Sequence, residues 1–303
     1  MLKYVSKRIL MTIPVLLGMI LLIFFMLNVV PGDPVTVMMK EHLKEDVVEN
    51  LRRSMHLDDP FFIRYLRYVW DAIRGDLGVS WKLSRPVTGV IATAFPYTVR
   101  LAVAAALFSW IMGIPVGIIS AVRKNSLIDH LSMGLSLFGV SMPVFWIALI
   151  LQTAFMNVLP VSGADRWQCY ILPTIVLGWS SAARIARLTR SNLLEVMRND
   201  YIRTARSKGL SPFRVITRHA LKNALIPVIT VMAIQISSLL SGAVITESVF
   251  AIPGVGSLAV TAINKRDMPL LQGTVLFTAI LIIAGNLVAD ILYSVIDPRI
   301  RVE

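Results

Sequence analysis

The stretch Asp200–Thr230 reads DYIRTARSKGLSPFRVITRHALKNALIPVIT, a polar and basic segment lodged between two long apolar runs. Between Arg184 and Lys222 stand ten Lys/Arg and only two acids, Glu195 and Asp200. One Arg or Lys at the centre of a bilayer costs roughly 2.5–3.5 kcal/mol, so ten would cost about 30 kcal/mol. The segment therefore lies outside the hydrocarbon, and its positive charge predicts the cytoplasmic side. Within it, Tyr201-Ile202, Ala205, Leu210, Phe213 and Ile216-Thr217 predict short helices with one apolar edge. Gly209 and then Ser211-Pro212 separate them. Glycine accepts the left-handed turn that ends a helix, and Ser-Pro opens the next one. The expectation is a helix-turn-helix protruding from a membrane bundle, a handle that another protein can grip.

The rest of the chain supplies that bundle. Of 303 residues, 56% are hydrophobic and 16% charged, and the mean hydropathy is +0.71. Soluble domains carry about 25% charged residues, so the composition is that of an integral membrane protein. The net charge of +12 comes with no aromatic-basic module, so a basic cytoplasmic face accounts for it better than nucleic acid does. A lone cysteine, Cys169, excludes an internal disulfide and a zinc cluster.

Six spans are predicted, with both termini cytoplasmic. Lys3, Lys7 and Arg8 precede the uncharged run Ile9–Val30, which is long enough to cross and reads as a retained span, not a cleaved signal. Pro31-Gly32-Asp33-Pro34 ends it. Residues 31–97 form one extracytoplasmic insertion with nine Lys/Arg and nine Asp/Glu. It holds a helical stripe at Leu43, Val47, Leu51 and Met55, then a second amphipathic helix through Phe61, Phe62, Tyr65, Val69, Trp70 and Ile73. These helices either lie on the bilayer or receive an external partner.

Residues 98–303 form a five-helix core. Leu101–Val122 is the second span, and the third runs from Leu131 to Leu159-Pro160, kinked at Gly139–Pro143. The fourth covers Tyr170–Ala186, and Arg184, Arg187 and Arg190 follow it to snorkel toward lipid phosphates. The fifth runs Ala224–Thr246 and the sixth Leu270–Ile296. A short re-entrant or interfacial helix is expected between them, after Pro253-Gly254-Val255-Gly256. Gln235, Ser238 and Ser241, with Ser141 at the kink, either pack helices closely or line a hydrophilic passage. Asp33, Asp76, Glu247 and Phe250 fall at the external end, as candidates for a gate or docking surface. Asp290, near the inner end of the last span, reads as a structural hydrogen-bonding group.

Enzymatic machinery is not apparent in the sequence. The chain has no G-x-x-x-x-G-K-[ST] phosphate loop, no H-E-x-x-H and no nucleophile elbow. Its four histidines, His42, His56, His130 and His219, are scattered, so neither a catalytic nor a metal site is expected. An ion-coupled secondary transporter would show inverted repeats and mid-span charges, and neither is visible beyond Asp290.

The opening stretch also resembles the cytoplasmic EAA loop of ABC-transporter permeases. Arg203-Thr204-Ala205 and Gly209 fall at its E-A-A and Gly positions, and His219-Ala220-Leu221-Lys222 at its I-x-L-P positions. The departures match the dipeptide/oligopeptide/nickel branch, which reads close to D-Y-x-R-T-A-R-x-K-G and H-A-L-x-N-A. The chain is similar to B-type permeases of that branch at Pro31–Pro34, Gly75–Ser80, Arg85-Pro86-Val87, Pro96-Tyr97-Thr98, Tyr170–Pro173, Glu247–Gly256 and Asp297–Arg301.

The resemblance implies an all-α type I importer permease of the bacterial cytoplasmic membrane. It implies a homologous second permease, two ATP-binding subunits that hold ATP-Mg, and an extracytoplasmic solute-binding protein. Surrounding lipids complete the set, with no cofactor on this chain and no nucleic acid. Within the coupling loop 190–222, the helix around Arg203–Gly209 would sit in a cleft of one ATPase subunit, with Arg203, Ala205, Arg206, Lys208, Gly209, Arg214 and His219 as the contact residues. The implied cargo is a dipeptide or oligopeptide, with nickel, a metal chelate or glutathione as alternatives.

Overall fold

The computed structural model describes residues 2–29 and 58–296. Asp33, the stripe from Leu43 to Met55, the Asp290 side chain and the Asp297–Arg301 motif lie outside the described residues.

The described chain is helical. α1 (Leu2–Val29) is followed by α2 (Phe61–Ile73), α3 (Val87–Val122), α4 (Leu127–Ser141) and α5 (Val144–Phe155). A 3-10 turn at Trp167–Tyr170 leads into α6 (Ile171–Val196). Next come α7 (Asp200–Ser207), α8 (Pro212–Ala224) and α9 (Ile226–Leu240). Two short helices, α10 (Val244–Val249) and α11 (Val255–Asn264), precede α12 (Met268–Ile296). Proline sets several starts, with Pro60, Pro86 and Pro143 immediately before α2, α3 and α5. Its fixed φ enters the first turn without strain. Ser126 instead caps α4, accepting from the Asp129 amide at 3.3 Å.

Three helices are long and apolar enough to cross a membrane, or up to five if each of two bent pairs is one span. α1 adds a shorter apolar stretch, Leu10–Phe25. Large apolar side chains on these helices, among them Leu107, Ile111, Leu131 and Phe145, are exposed, as befits a chain whose solvent is lipid.

The predicted kink at Gly139–Pro143 is a sharper break. α4 and α5 meet at 103°, so neither runs on from the other as one rod. Pro143 removes a backbone donor. Gly139, where a Cβ would lie 2.1 Å from Trp179 Nε1, lets the indole of α6 press into the break.

The second span also begins earlier than the apolar run. Val87, Val90, Ile91 and Ala94, read above as part of the external insertion, are the first turns of α3 and pack against Val255, Ala262 and Leu270. α3 has 36 residues, about 54 Å at 1.5 Å per residue, well beyond a hydrocarbon core of about 30 Å.

The centre of the fold is the pairing of α3 with α6. Small residues bring these backbones together. A Cβ at Gly113 would lie 2.7 Å from the Ala182 carbonyl oxygen, and one at Gly117 only 2.5 Å from that of Ala186. From the other side, a Cβ at Gly178 would meet the Phe108 ring at 2.4 Å. Gly113 and Gly117 form a G-x-x-x-G pair, the spacing that places two glycines on one helix face.

The amphipathic helix expected at Phe61–Ile73 is α2. It leans on α1, with the Phe24 ring 5.2 Å from Phe61 and the Tyr65 hydroxyl donating to the Leu17 carbonyl at 3.0 Å. Burial in this contact pushes the Tyr68 phenol up and the Arg64 guanidinium down from their ordinary values. Phe62, Leu66, Trp70 and Ile73 remain exposed.

Candidate functional site

The basic segment folds into a two-faced knob. In α7, Ile202 and Ala205 stand three apart, on one side of the helix, and are 0% and 6% exposed. They pack on Ala121 of α3, Leu193 of α6, and Val215, Ala220 and Ala224 of α8. Arg203, Thr204, Arg206, Ser207 and Lys208 are exposed on the other side. The amphipathic edge is thus spent on seating the helix, and the charges are left outward.

Gly209 ends α7 at φ +78°, its amide donating to the Arg206 carbonyl at 2.9 Å. Open space surrounds the position a Cβ would take, so the requirement for glycine is conformational, not steric. Ser211 is extended and Pro212 opens α8. Residues Val215–Ala220 are π-helical, a wide turn found often at functional sites. Asn223 ties the two helices, donating to the Tyr201 hydroxyl at 2.8 Å.

Most of the expected contact residues share this outer surface. Arg203, Arg206, Lys208, Gly209 and Arg214 are exposed, and His219 is half-buried. Ala205 is the correction: it faces inward and anchors the helix, so its side chain is not available to an ATPase cleft.

Just above the knob, Arg190 does not snorkel. It donates to Asp129 from Nε and Nη2, both at 2.7 Å. Asp129 is 1% exposed and also accepts from the Ser120 hydroxyl and from the Asn125 amide. The pair locks α6 to the corner between α3 and α4. The Arg-x-x-Arg spacing alone shows nothing of this, because the partner lies 61 positions away.

At the opposite end of α3, two carboxylates organise the loops. Glu247 is 0% exposed and accepts from the Thr98 hydroxyl at 2.9 Å and the Ser257 amide at 3.0 Å. Thr98 in turn accepts from the Val255 amide at 2.8 Å. Gly254 and Gly256 close over the carboxylate, where a Cβ would lie 2.5 Å and 2.9 Å from its oxygens. Phe250 is also fully buried, among Leu101, Leu172 and Val176. Docking through the side chains of Glu247 or Phe250 does not fit this conformation, because Glu247 ties α10 and α11 to α3 and Phe250 is packed against α3 and α6. Asp76 is exposed and accepts from the Gly78 amide at 2.8 Å.

Asp267 carries no distinguishing signal in the sequence. It is 1% exposed and accepts from the Ser80 hydroxyl at 2.5 Å, the Trp81 and Lys82 amides at 3.2 and 3.1 Å, and the Leu270 amide at 3.3 Å. Its position before Met268-Pro269 marks a helix start, but Ser80 lies 187 positions away.

The expected passage residues divide. Ser238 and Ser141 are exposed and Ser241 is half-buried, donating to the Ser238 carbonyl at 2.7 Å. Gln235 is buried and donates to the Ser109 hydroxyl of α3 at 2.8 Å, which binds α9 to α3 within the subunit. Among the described residues no group of three His, Cys, Asp or Glu could hold a metal ion.

Comparison with known proteins places this geometry. Residues 113–302 match the family model described as binding-protein-dependent transport system inner membrane component. Residues 1–102 match that of the N-terminal part of such membrane components. The chain is 40% identical to the dipeptide transport system permease protein DppB of Escherichia coli (strain K12), over 336 residues and 99% of each chain. It is 43% identical to the di/tripeptide transport system permease protein DppB of Pseudomonas aeruginosa (strain UCBPP-PA14), over 334 residues and 99% of each. It is 40% identical to the glutathione transport system permease protein GsiC of Escherichia coli (strain K12), over 304 residues and 99% of each.

Among solved structures, an inward-facing form of the MetNI methionine ABC transporter superposes with a TM-score of 0.60 at 16% identity, covering 69% of this chain and 96% of that one. At that identity the likeness speaks for the fold alone. Two family models that together cover nearly the whole sequence, with relatives at 40–43% identity along its length, show that the chain belongs to the binding-protein-dependent transport system inner membrane components, the permease subunits of ABC importers.

Proposed function

We propose that this chain is one of two homologous permeases of a dipeptide importer in the bacterial cytoplasmic membrane, crossing it six times with both termini inside. Two ATPase subunits hold ATP-Mg, and an extracytoplasmic solute-binding protein delivers the cargo. The observation that carries the coupling role is the divided surface of α7. Ile202 and Ala205 fasten it to α3, α6 and α8, while Arg203, Arg206 and Lys208 face outward. A helix seated on three others transmits a push, where a loose loop would absorb it. Movement of the knob then carries α6 and the α3–α4 corner with it, through the Leu193 contact and the Arg190–Asp129 pair. The membrane helices rock between two packings as rigid bodies, and cargo drives the cycle only by binding the two states unequally.

The passage would run along the exposed polar positions Ser141 and Ser238, next to the second permease. The identity to dipeptide permeases supports dipeptide cargo. A second reading is glutathione, because the chain is as similar to the glutathione permease as to the dipeptide permease of Escherichia coli, 40% identical to each over 99% of both chains. ATP-driven uptake by the reconstituted complex, with a labelled dipeptide and labelled glutathione in competition, tests both. Uptake of neither by a complex that hydrolyses ATP would overturn the pair. Uptake by the purified chain alone, without ATP, would overturn the importer itself.

A further inference from the structure

The loop between α2 and α3 is held with more care than a connector requires. Residues 79–86 form a small hairpin, closed by a bridge between Val79 and Pro86 and by the Ser80 amide donating to the Arg85 carbonyl at 3.0 Å. Asp267, buried at the junction of α11 and α12, accepts from three groups of this hairpin. Ser84 in the hairpin sits at φ +51° and Arg266, next to Asp267, at φ +52°. For residues other than glycine this conformation is unfavourable and persists only where surrounding structure enforces it. Such strain gathers where a surface must keep one shape.

The shape so held is a basic one. Arg85, Lys265 and Arg266 are exposed, and no carboxylate among the described residues pairs with them. Val79 and Leu83 are exposed apolar groups of the same hairpin. The neighbouring carboxylate, Asp267, is consumed internally, and Asp76 is turned to its own turn amide. Exposed apolar groups beside cations suit a protein-docking surface, and Arg85, Lys265 and Arg266, with no carboxylate partner among the described residues, select an acidic partner and speed its arrival.

We infer that this hairpin, clamped by Asp267, is the seat for an acidic face of the solute-binding protein. The inference rests on the importer reading, which puts the surface on the external side. The test uses the complete transporter in phosphatidylcholine nanodiscs with its purified solute-binding protein, reading both affinity and stimulation of ATP hydrolysis. The triple variant Arg85→Glu, Lys265→Glu, Arg266→Glu is expected to weaken binding at least tenfold and to flatten its dependence on salt, with unstimulated hydrolysis unchanged. The milder Arg85→Gln variant, which avoids introducing acids, is expected to weaken binding by a smaller factor. Unchanged affinity in the triple variant would overturn the seat and leave the importer standing. An effect confined to nanodiscs containing phosphatidylglycerol would assign the patch to lipid headgroups and overturn it as well. No stimulation of the unaltered transporter would overturn the importer reading instead.

Discussion

Arg190 grips Asp129 with two arms of its fork, Nε on Oδ1 and Nη2 on Oδ2, each at 2.7 Å. This geometry joins α6, which leads into the basic knob, to the corner between α3 and α4. Paired hydrogen bonds of this kind resist rotation as well as separation. Asp129→Ala would leave the guanidinium, the Ser120 hydroxyl and the Asn125 amide without their acceptor. Breaking a buried pair by removing one partner costs about 3–5 kcal/mol, and the lower end applies here because the Arg190 side chain is 24% exposed. The expected outcome is a clear drop in unfolding temperature of the detergent-solubilised protein, followed by tryptophan fluorescence, with Asp129→Asn losing less. An unchanged transition would show the pair to be ornamental.

The contact of α3 with α6 yields a second expectation. Gly113 and Gly117 let the Ala182 and Ala186 carbonyls approach to distances that no Cβ tolerates. A side chain at either position must push two long helices apart. Overpacking costs 1–3 kcal/mol or so even in yielding cores, and this site is backed by backbone. Gly117→Leu is expected to abolish recovery of folded protein from membranes, and Gly117→Ala to reduce it. Gly89, which has open space around it, provides the control. Gly89→Ala is expected to leave the yield unaltered.

Glu247 gives the third. Its carboxylate satisfies the Thr98 hydroxyl and the Ser257 amide inside a pocket roofed by Gly254 and Gly256. Truncation to Ala strands those donors, and an unsatisfied buried polar group costs about 1–3 kcal/mol. Glu247→Ala and Gly254→Ala are both expected to lower the unfolding temperature while leaving the affinity for the solute-binding protein unaltered once the complex is assembled. A loss of affinity with unchanged stability would return Glu247 to the docking surface that its sequence position suggests.

What could be read ahead of the structure was local. The stripe of Phe61, Tyr65 and Trp70 marks α2 because its period lies within one helix. Gly209 and Pro212 mark a helix end and start because backbone conformation is set residue by residue. Gly139–Pro143 marks a break, but not its 103° angle, which depends on Trp179 arriving from α6. The long-range pairs were invisible: Asp129 with Arg190 across 61 positions, Thr98 with Glu247 across 149, Ser80 with Asp267 across 187. A carboxylate in an external loop looks alike in sequence whether it faces water or three amides. Position alone therefore suggests a docking role for Glu247 and none for Asp267, although both are buried acceptors. The G-x-x-x-G at Gly113–Gly117 lies in the apolar run, but its spacing does not say that it meets the Ala182 and Ala186 carbonyls of α6.

The knob itself supplies the last prediction, because its two faces should fail in different ways. Arg203→Glu with Arg206→Glu alters only exposed side chains. The double variant is expected to reach the membrane with an unchanged unfolding temperature and to lose most of its ATPase subunits on purification. Ala205→Glu puts a charge where a 6% exposed methyl meets Val215 and Leu193. Burying an unpaired carboxylate is costly enough to unseat the helix, so this variant is expected to lower stability as well as assembly. Gly209→Ala sits between them. The site has room for a methyl, but φ +78° charges an L-residue roughly 1–2 kcal/mol. The expected result is a modest loss of stability with ATPase subunits retained at reduced occupancy. If all three variants lose ATPase subunits and stability in parallel, the outward cations have no separate role, and α7 is only a brace between α3, α6 and α8.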